Sequence, residues 1–134
     1  MNVYKLTDTV GVSGQISTEL VPQIAAAGYR VLINNRPDGE EPGQPTSAEI
    51  AAAAEAAGLE YHYMPVTAMD FPGGDIDQMA DLFDDAERPV LAFCRTGTRC
   101  TNLWVVSRDP DEQDDAAAMA RSIGFDLSMA ARVL

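Results

Sequence analysis

The chain has 134 residues, 46% hydrophobic and 22% charged, the balance of an ordinary globular protein, and its length suits one domain over 1–134 with a real core. Nine Lys and Arg against 21 Asp and Glu give a net charge of −12, which argues against a phosphate-backbone footprint or an anionic membrane surface. Neither nucleic acid nor membrane is therefore an expected partner. Two cysteines and one histidine make no disulfide framework and no metal-finger spacing, so no metal and no cofactor are expected. Residues 1–12 lack a signal-peptide pattern and no stretch has the length of a membrane span, which predicts a cytoplasmic location.

Residues 3–6 and 10–12 read as two short strands around the polar turn Thr7-Asp8-Thr9, an edge hairpin. Ser17, Thr18 and Glu19 offer N-cap chemistry for a helix to about residue 27, with Pro22 near its first turn and Gly28 as its stop. Residues 29–33 form a largely apolar strand, and Asn34-Asn35-Arg36-Pro37-Asp38-Gly39-Glu40 ends its pairing and opens a long loop. Thr46-Ser47-Ala48-Glu49 is a capping box ahead of an alanine-rich helix that stops at Gly58. A strand follows over 61–66, its far end taken out of the ladder by Pro65, then a Gly/Pro-rich loop over 67–75. Ile76, Met79, Leu82 and Phe83 lie at helical spacing, so Asp75 is expected to cap a helix to about residue 86. The strand 89–93, a loop, and a helix over 100–107 come next, followed by helices over 111–122, with an acidic first turn, and 127–133, capped by Asp126.

Helix and strand alternate three times, which predicts an α/β fold whose central, mostly parallel sheet of about 4–5 strands is flanked by helices. Ligands of such sheets bind beyond the carboxyl ends of the strands. The loops 36–40, 67–75 and the one beginning at Cys94 therefore meet at one rim.

The third loop, Phe93-Cys94-Arg95-Thr96-Gly97-Thr98-Arg99-Cys100-Thr101, carries the chemistry. A loop between a strand and a helix start aims main-chain N–H groups into its mouth, and the helix adds roughly half an elementary charge of positive potential. Gly97 allows the positive φ that curls the chain inward, and Arg95 and Arg99 add forked cationic donors. At the base of that field Cys94 is favoured as a thiolate nucleophile. A core position would not recruit two guanidinium groups.

Cys94-x-x-Gly97-x-x-Cys100-Thr101 resembles the Cys-x-x-Gly-x-x-Arg-Ser/Thr signature of the dual-specificity and tyrosine phosphatase superfamily. More closely, Val12-Ser13-Gly14-Gln15, the 34–40 stretch and Cys94 to Arg99 with Leu103-Trp104 resemble the bacterial phosphatase-like domain of beta-lactamase-hydrolase-like proteins, whose members also carry sulfur-transferase labels. The resemblance implies a three-layer phosphatase-like fold and a site in which Arg95, Thr96, Gly97, Thr98, Arg99, Cys100 and Thr101 bind an anion, with Thr101 donating to the thiolate. Two positions depart from it. Phosphatases carry His before the nucleophile and Arg six positions after, where this chain has Phe93 and Cys100. Arg99 comes one residue early, a turn of roughly 100° on a helix.

Three readings stand on the sequence. The expected partner is a phosphate-, sulfate- or sulfane-type anionic substrate; in the first reading, phosphoryl transfer, Cys94 attacks phosphorus, Arg99 clamps the phosphoryl oxygens, and Asp70, with Asp75 second, protonates the leaving group. In the second, the six-residue loop from Cys94 to Arg99, which also resembles that of rhodaneses, carries a sulfane-type persulfide. The third is a degenerate scaffold that binds an anion or a protein. In the phosphatase register Cys100 points back into the loop, which leaves two readings: its sulfur approaches Cys94 and forms a reversible disulfide, or it is an inert small residue at the helix N-terminus. Arg36 is placed either at the rim or in a loop salt bridge with Asp38 or Glu40, His62 is read as a structural strand residue, and Leu103, Trp104 and Val106 pack the loop-bearing helix on the sheet.

Overall fold

A computed structural model describes residues 2–134. Strands β1 (Val3–Lys5), β2 (Val10–Ser13), β3 (Val31–Asn34), β4 (Glu60–Tyr63) and β5 (Val90–Phe93) form one five-stranded sheet in the order β1-β2-β5-β3-β4. β1 pairs antiparallel with β2, the expected edge hairpin, and the other pairings are parallel. β2, β3 and β5 are buried along their whole length, as strands covered on both faces must be.

Alternation along these strands divides the core into two layers. Leu32, Leu91 and Phe93 pack with Val21 and Ile24 of α1 (Val21–Ala26) and Ile50 and Ala54 of α2 (Ser47–Ala56). Val31, Ile33, Val90 and Ala92 face the other way, towards α3 (Ile76–Asp84), α4 (Thr98–Val106), α5 (Gln113–Ile123) and α6 (Ser128–Ala131). This is the three-layer, helix-sheet-helix architecture expected from the sequence. Each wholly buried side chain such as Ile50 contributes about 1.5–3 kcal/mol. Among the described residues no helix is long and apolar enough to cross a membrane.

The capping box forms as expected: Thr46 Oγ1 accepts the Glu49 N–H at 3.2 Å, and the Glu49 carboxylate accepts the Thr46 N–H at 3.1 Å. Other boundaries shift. The first helix begins as a 3-10 turn, Thr18–Leu20, and Ser17 makes no side-chain cap bond. Asp75 stands at the N-cap of α3 without a side-chain bond to it. The N-cap of α6 is Leu127 and not Asp126, which lies one residue earlier and accepts the Ser128 N–H at 2.9 Å, and α6 is one turn long and not the seven residues expected. β4 covers Glu60–Tyr63 and not 61–66: Met64 N–H still bonds the Asn34 carbonyl, the chain leaves the ladder at Pro65 as expected, and Val66 N–H bonds the Asn35 carbonyl.

Asn102, on the buried face of α4, holds the last helix to the site-bearing one. Its Oδ1 accepts the Ala130 N–H at 2.9 Å, and its Nδ2 donates to the carbonyls of Thr98 at 2.8 Å and Asp126 at 2.9 Å. Asn102→Ala leaves the Ala130 amide and the Asp126 carbonyl without that partner and is expected to lower stability by about 2–4 kcal/mol in urea unfolding.

Candidate active site

The three loops do converge, and one side chain joins them. Arg99 donates from Nη1 to Glu40 Oε2 at 2.8 Å and to the Val66 carbonyl at 2.9 Å, and from Nη2 to Glu40 Oε1 at 2.7 Å. It thereby ties α4 to the 34–40 loop and to the root of the 67–75 loop. Below it the carboxyl ends of the central strands are cross-linked by the backbone: Cys94 N–H to Ser13 O at 3.3 Å, and Asn35 N–H to Phe93 O at 2.9 Å.

Helix α4 begins at Thr98, two residues earlier than expected, with Gly97 as its N-cap at φ +89°. That left-handed conformation brings the Gly97 N–H onto Cys94 Sγ at 3.1 Å. Among the described residues, no backbone carbonyl accepts from the amides of Arg95, Thr96, Arg99 or Cys100. Open main-chain donors around a sulfur are what the anion-loop reading requires. A methyl group at Gly97 would have room, 3.5 Å from Phe125 and Ser13, so the cost of Gly97→Ala is conformational. We expect a loss of about 1–3 kcal/mol in thermal or urea unfolding, with a rise in the Cys94 pKa as the amide turns away.

Cys94 is 1% exposed, and both cysteines are free. The Cys94 pKa falls from the ordinary 9.0 to about 6, chiefly because the Cys100 thiol donates towards its sulfur. The amides of Cys100, Thr96 and Gly97 add to this, against the opposing effect of burial. Cys100 moves the other way, pushed well above the ordinary value by burial and then by the neighbouring Cys94. The two shifts run in opposite directions, Cys94 towards the thiolate and Cys100 towards the thiol.

Other expected site residues fall differently. Thr101 Oγ1 donates to the Gly97 carbonyl at 2.8 Å, a helical back-bond, and not to the thiolate. Thr96 Oγ1 donates to Thr98 Oγ1 at 3.0 Å. The Arg95 side chain is exposed, while its carbonyl accepts the Gln15 N–H at 3.3 Å. Arg36 does not present itself at the rim. It is 1% exposed and gives Nε to Glu40 at 2.9 Å, Nη1 to Gln15 at 3.0 Å and Nη2 to Glu41 at 3.1 Å, so the salt-bridge alternative holds, with Glu40 as partner. Asp38 instead accepts the Ser47 N–H at 2.7 Å. Asp70 is exposed, and its Oδ1 accepts the backbone N–H of Thr67 at 2.6 Å and the Thr67 hydroxyl at 2.9 Å; the backbone bond first, then the hydroxyl, holds its pKa down. His62 pairs with Glu60 on β4 at 2.6 Å.

Glu40 was not singled out by the sequence as part of the site. Its carboxylate accepts from two guanidinium groups, and the bond to Arg99, ahead of that to Arg36, draws its pKa down. Bonding to Glu40 in turn raises the Arg99 pKa, and the Cys94 charge adds to that rise, which puts Arg99 in the field of the thiolate.

A three-layer α/β domain with an amide-lined cysteine loop after its central strand is phosphatase-like. The model of the phosphatase-like domain of beta-lactamase hydrolase-like proteins matches residues 2–111, and the chain belongs to that family. Beta-lactamase hydrolase-like proteins of Agrobacterium fabrum and Xylella fastidiosa (strain Temecula1) are 35% and 36% identical, over 100% and 97% of this chain. The chain spans about a third of those relatives, 32% and 31% of their length. A candidate phosphatase from Neisseria meningitidis, known from a crystal structure, is 38% identical with a TM-score of 0.77, over 96% of this chain and 94% of that one.

Proposed function

We propose that the chain is a cysteine-dependent phosphatase-like hydrolase acting on a phosphate monoester. The observation that carries this reading is the Gly97 N–H on the Cys94 sulfur at 3.1 Å, in a loop where no backbone carbonyl takes the amides of Arg95, Thr96, Arg99 or Cys100, and the lowered Cys94 pKa agrees with it. The thiolate attacks phosphorus, and the S–P bond forms as the P–O bond to the leaving group breaks. The leaving oxygen takes a proton, and water then cleaves the phosphocysteine to return phosphate and the thiol. The inward amides, the N-terminus of α4 and Arg99 hold the equatorial oxygens while charge builds on them.

Asp70, with Asp75 second, is the proposed proton donor. In the free protein Asp70 is held ionised by Thr67, so it needs a reason to take up a proton. A bound phosphoryl dianion supplies one, because a like charge nearby raises a carboxylate pKa. The assignment is supported by the bond from Arg99 to the carbonyl of Val66, the residue before the Thr67 that Asp70 bonds.

The sulfur-transfer reading draws no support from the relatives described above. The test is a time course of phosphate release from an aryl phosphate by the protein and by Cys94→Ser. Release by the unaltered protein that does not exceed the variant at any pH overturns the reading.

A further inference from the structure

Helix α4 carries its arginine one position early for a phosphoryl clamp, at its second residue and not its third. A free Arg99 side chain there would be rotated away from the loop mouth and would sample many rotamers. The structure removes that freedom. Arg36, fully buried beneath the rim and held by Gln15 and Glu41, donates Nε to Glu40 Oε1. Glu40 then grips Arg99 end-on through both Nη atoms, and the Val66 carbonyl takes a further Nη1 proton. A guanidinium has five N–H donors in a fixed fork. Three are spent here, and among the described residues the Nε–H of Arg99 has no acceptor. The side-on edge, Nε with the second proton of Nη2, is the one left for a two-oxygen contact.

We infer that Glu40 is a positioning residue which, anchored by Arg36, fixes Arg99 end-on so that its Nε/Nη2 edge serves the oxyanion bound in the Cys94 loop. This rests on the reading of that loop as an oxyanion site. Glu40 touches neither the sulfur nor the reacting phosphorus and acts only through Arg99. It compensates for the misplaced arginine, because a bidentate carboxylate fixes both the position and the plane of the fork. An alternative role, in which Glu40 holds the 34–40 loop together without regard to Arg99, is open to a direct test.

The experiment compares the unaltered protein, Glu40→Gln, Arg99→Ala and the double variant. One readout is kcat/KM on an aryl phosphate, and another is protection of Cys94 from iodoacetamide by inorganic phosphate, which needs no turnover. Glu40→Gln is expected to lower kcat/KM at least tenfold and to weaken phosphate protection, yet to change both by less than twofold when Arg99 is already alanine. Glu40→Asp, which keeps the charge, is expected to recover part of the loss. Equal cost of Glu40→Gln with and without Arg99, or no cost at all, overturns the inference. If nothing is hydrolysed but phosphate protects the unaltered protein and not Glu40→Gln, the positioning role stands and the hydrolase reading falls. Absence of phosphate protection in the unaltered protein ends the positioning role as well. Should Glu40→Gln lose stability, the comparison within the Arg99→Ala background still decides, since a purely structural defect would persist there.

Discussion

Cys94→Ser is expected to bring aryl phosphate hydrolysis down to background, a loss of at least roughly 10⁴-fold, if Cys94 is the nucleophile. The reason lies in what surrounds the sulfur. On the proposed reading its nucleophilicity would come from ionisation in the resting protein, with the pKa lowered to about 6, and not from a neighbouring base that takes a proton on demand. A serine hydroxyl in the same place stays protonated and needs such a base. His62 is committed to Glu60 on edge strand β4, and the carboxylates of Glu40 and Asp70 are committed to Arg36 and Arg99 and to Thr67. Neither Asp70 nor Glu40 faces the sulfur in a hydrogen bond. Folding should survive, because a hydroxyl still accepts the Gly97 N–H, so thermal unfolding of the variant serves as the control. A serine variant that keeps a tenth of the rate would remove Cys94 from the nucleophile's role.

Most of the fold was legible because its signals are local. The apolar runs that became β3 and β5, the Thr46/Glu49 box and the helical spacing of Met79, Leu82 and Phe83 each act within one or two turns of chain. The errors are where tertiary contacts outweigh local preference. The strand read over 61–66 leaves the ladder as Pro65 implied, but it ends earlier, at Tyr63, with the Met64 and Val66 amides still on the carbonyls of Asn34 and Asn35. Ser17 looked like a cap, but the chain enters through a 3-10 turn that leaves its hydroxyl unused.

The same division holds in the site. Cys94, Gly97 and the loop amides are adjacent in sequence, and the strand-loop-helix order alone brings them together. Glu40 and Arg99 are 59 positions apart, and no local pattern announces their pairing. A faint signal existed: an Asp-Gly-Glu-Glu turn that brings two carboxylates next to Arg36 at the carboxyl end of a parallel strand. Burial of Arg36 could not be read, because a loop arginine is ordinarily exposed and becomes buried only when three acceptors satisfy it. Thr101 was assigned to the thiolate by resemblance, whereas in α4 the Gly97 carbonyl lies one turn back and takes its proton.

Alkylation of Cys94 by iodoacetamide is expected to follow a titration with its midpoint at about pH 6, three units below the ordinary thiol. At pH 7 such a thiol is about nine-tenths ionised, against about one-hundredth for a thiol at 9.0, a difference of roughly ninety-fold in thiolate. The rate gains less than the population does. Nucleophilicity falls as pKa falls, with a Brønsted slope of about 0.4–0.5, which over three units returns a factor of about 15–30. The midpoint is therefore the diagnostic quantity. Cys100→Ala removes the largest cause of the depression and is expected to move the midpoint upward, leaving the amides to hold what remains of it. The linkage to stability has the same sign. A folded pKa below the unfolded value contributes stability that is complete above pH 9 and is lost as pH falls through about 6, while Cys100, shifted upward, subtracts from it above 9. A midpoint near 9 in the unaltered protein would mean that the loop does not stabilise the thiolate. No alkylation at any pH, with Cys94 only 1% exposed, would mean that the mouth does not admit even a small electrophile, and the hydrolase reading would fall with it.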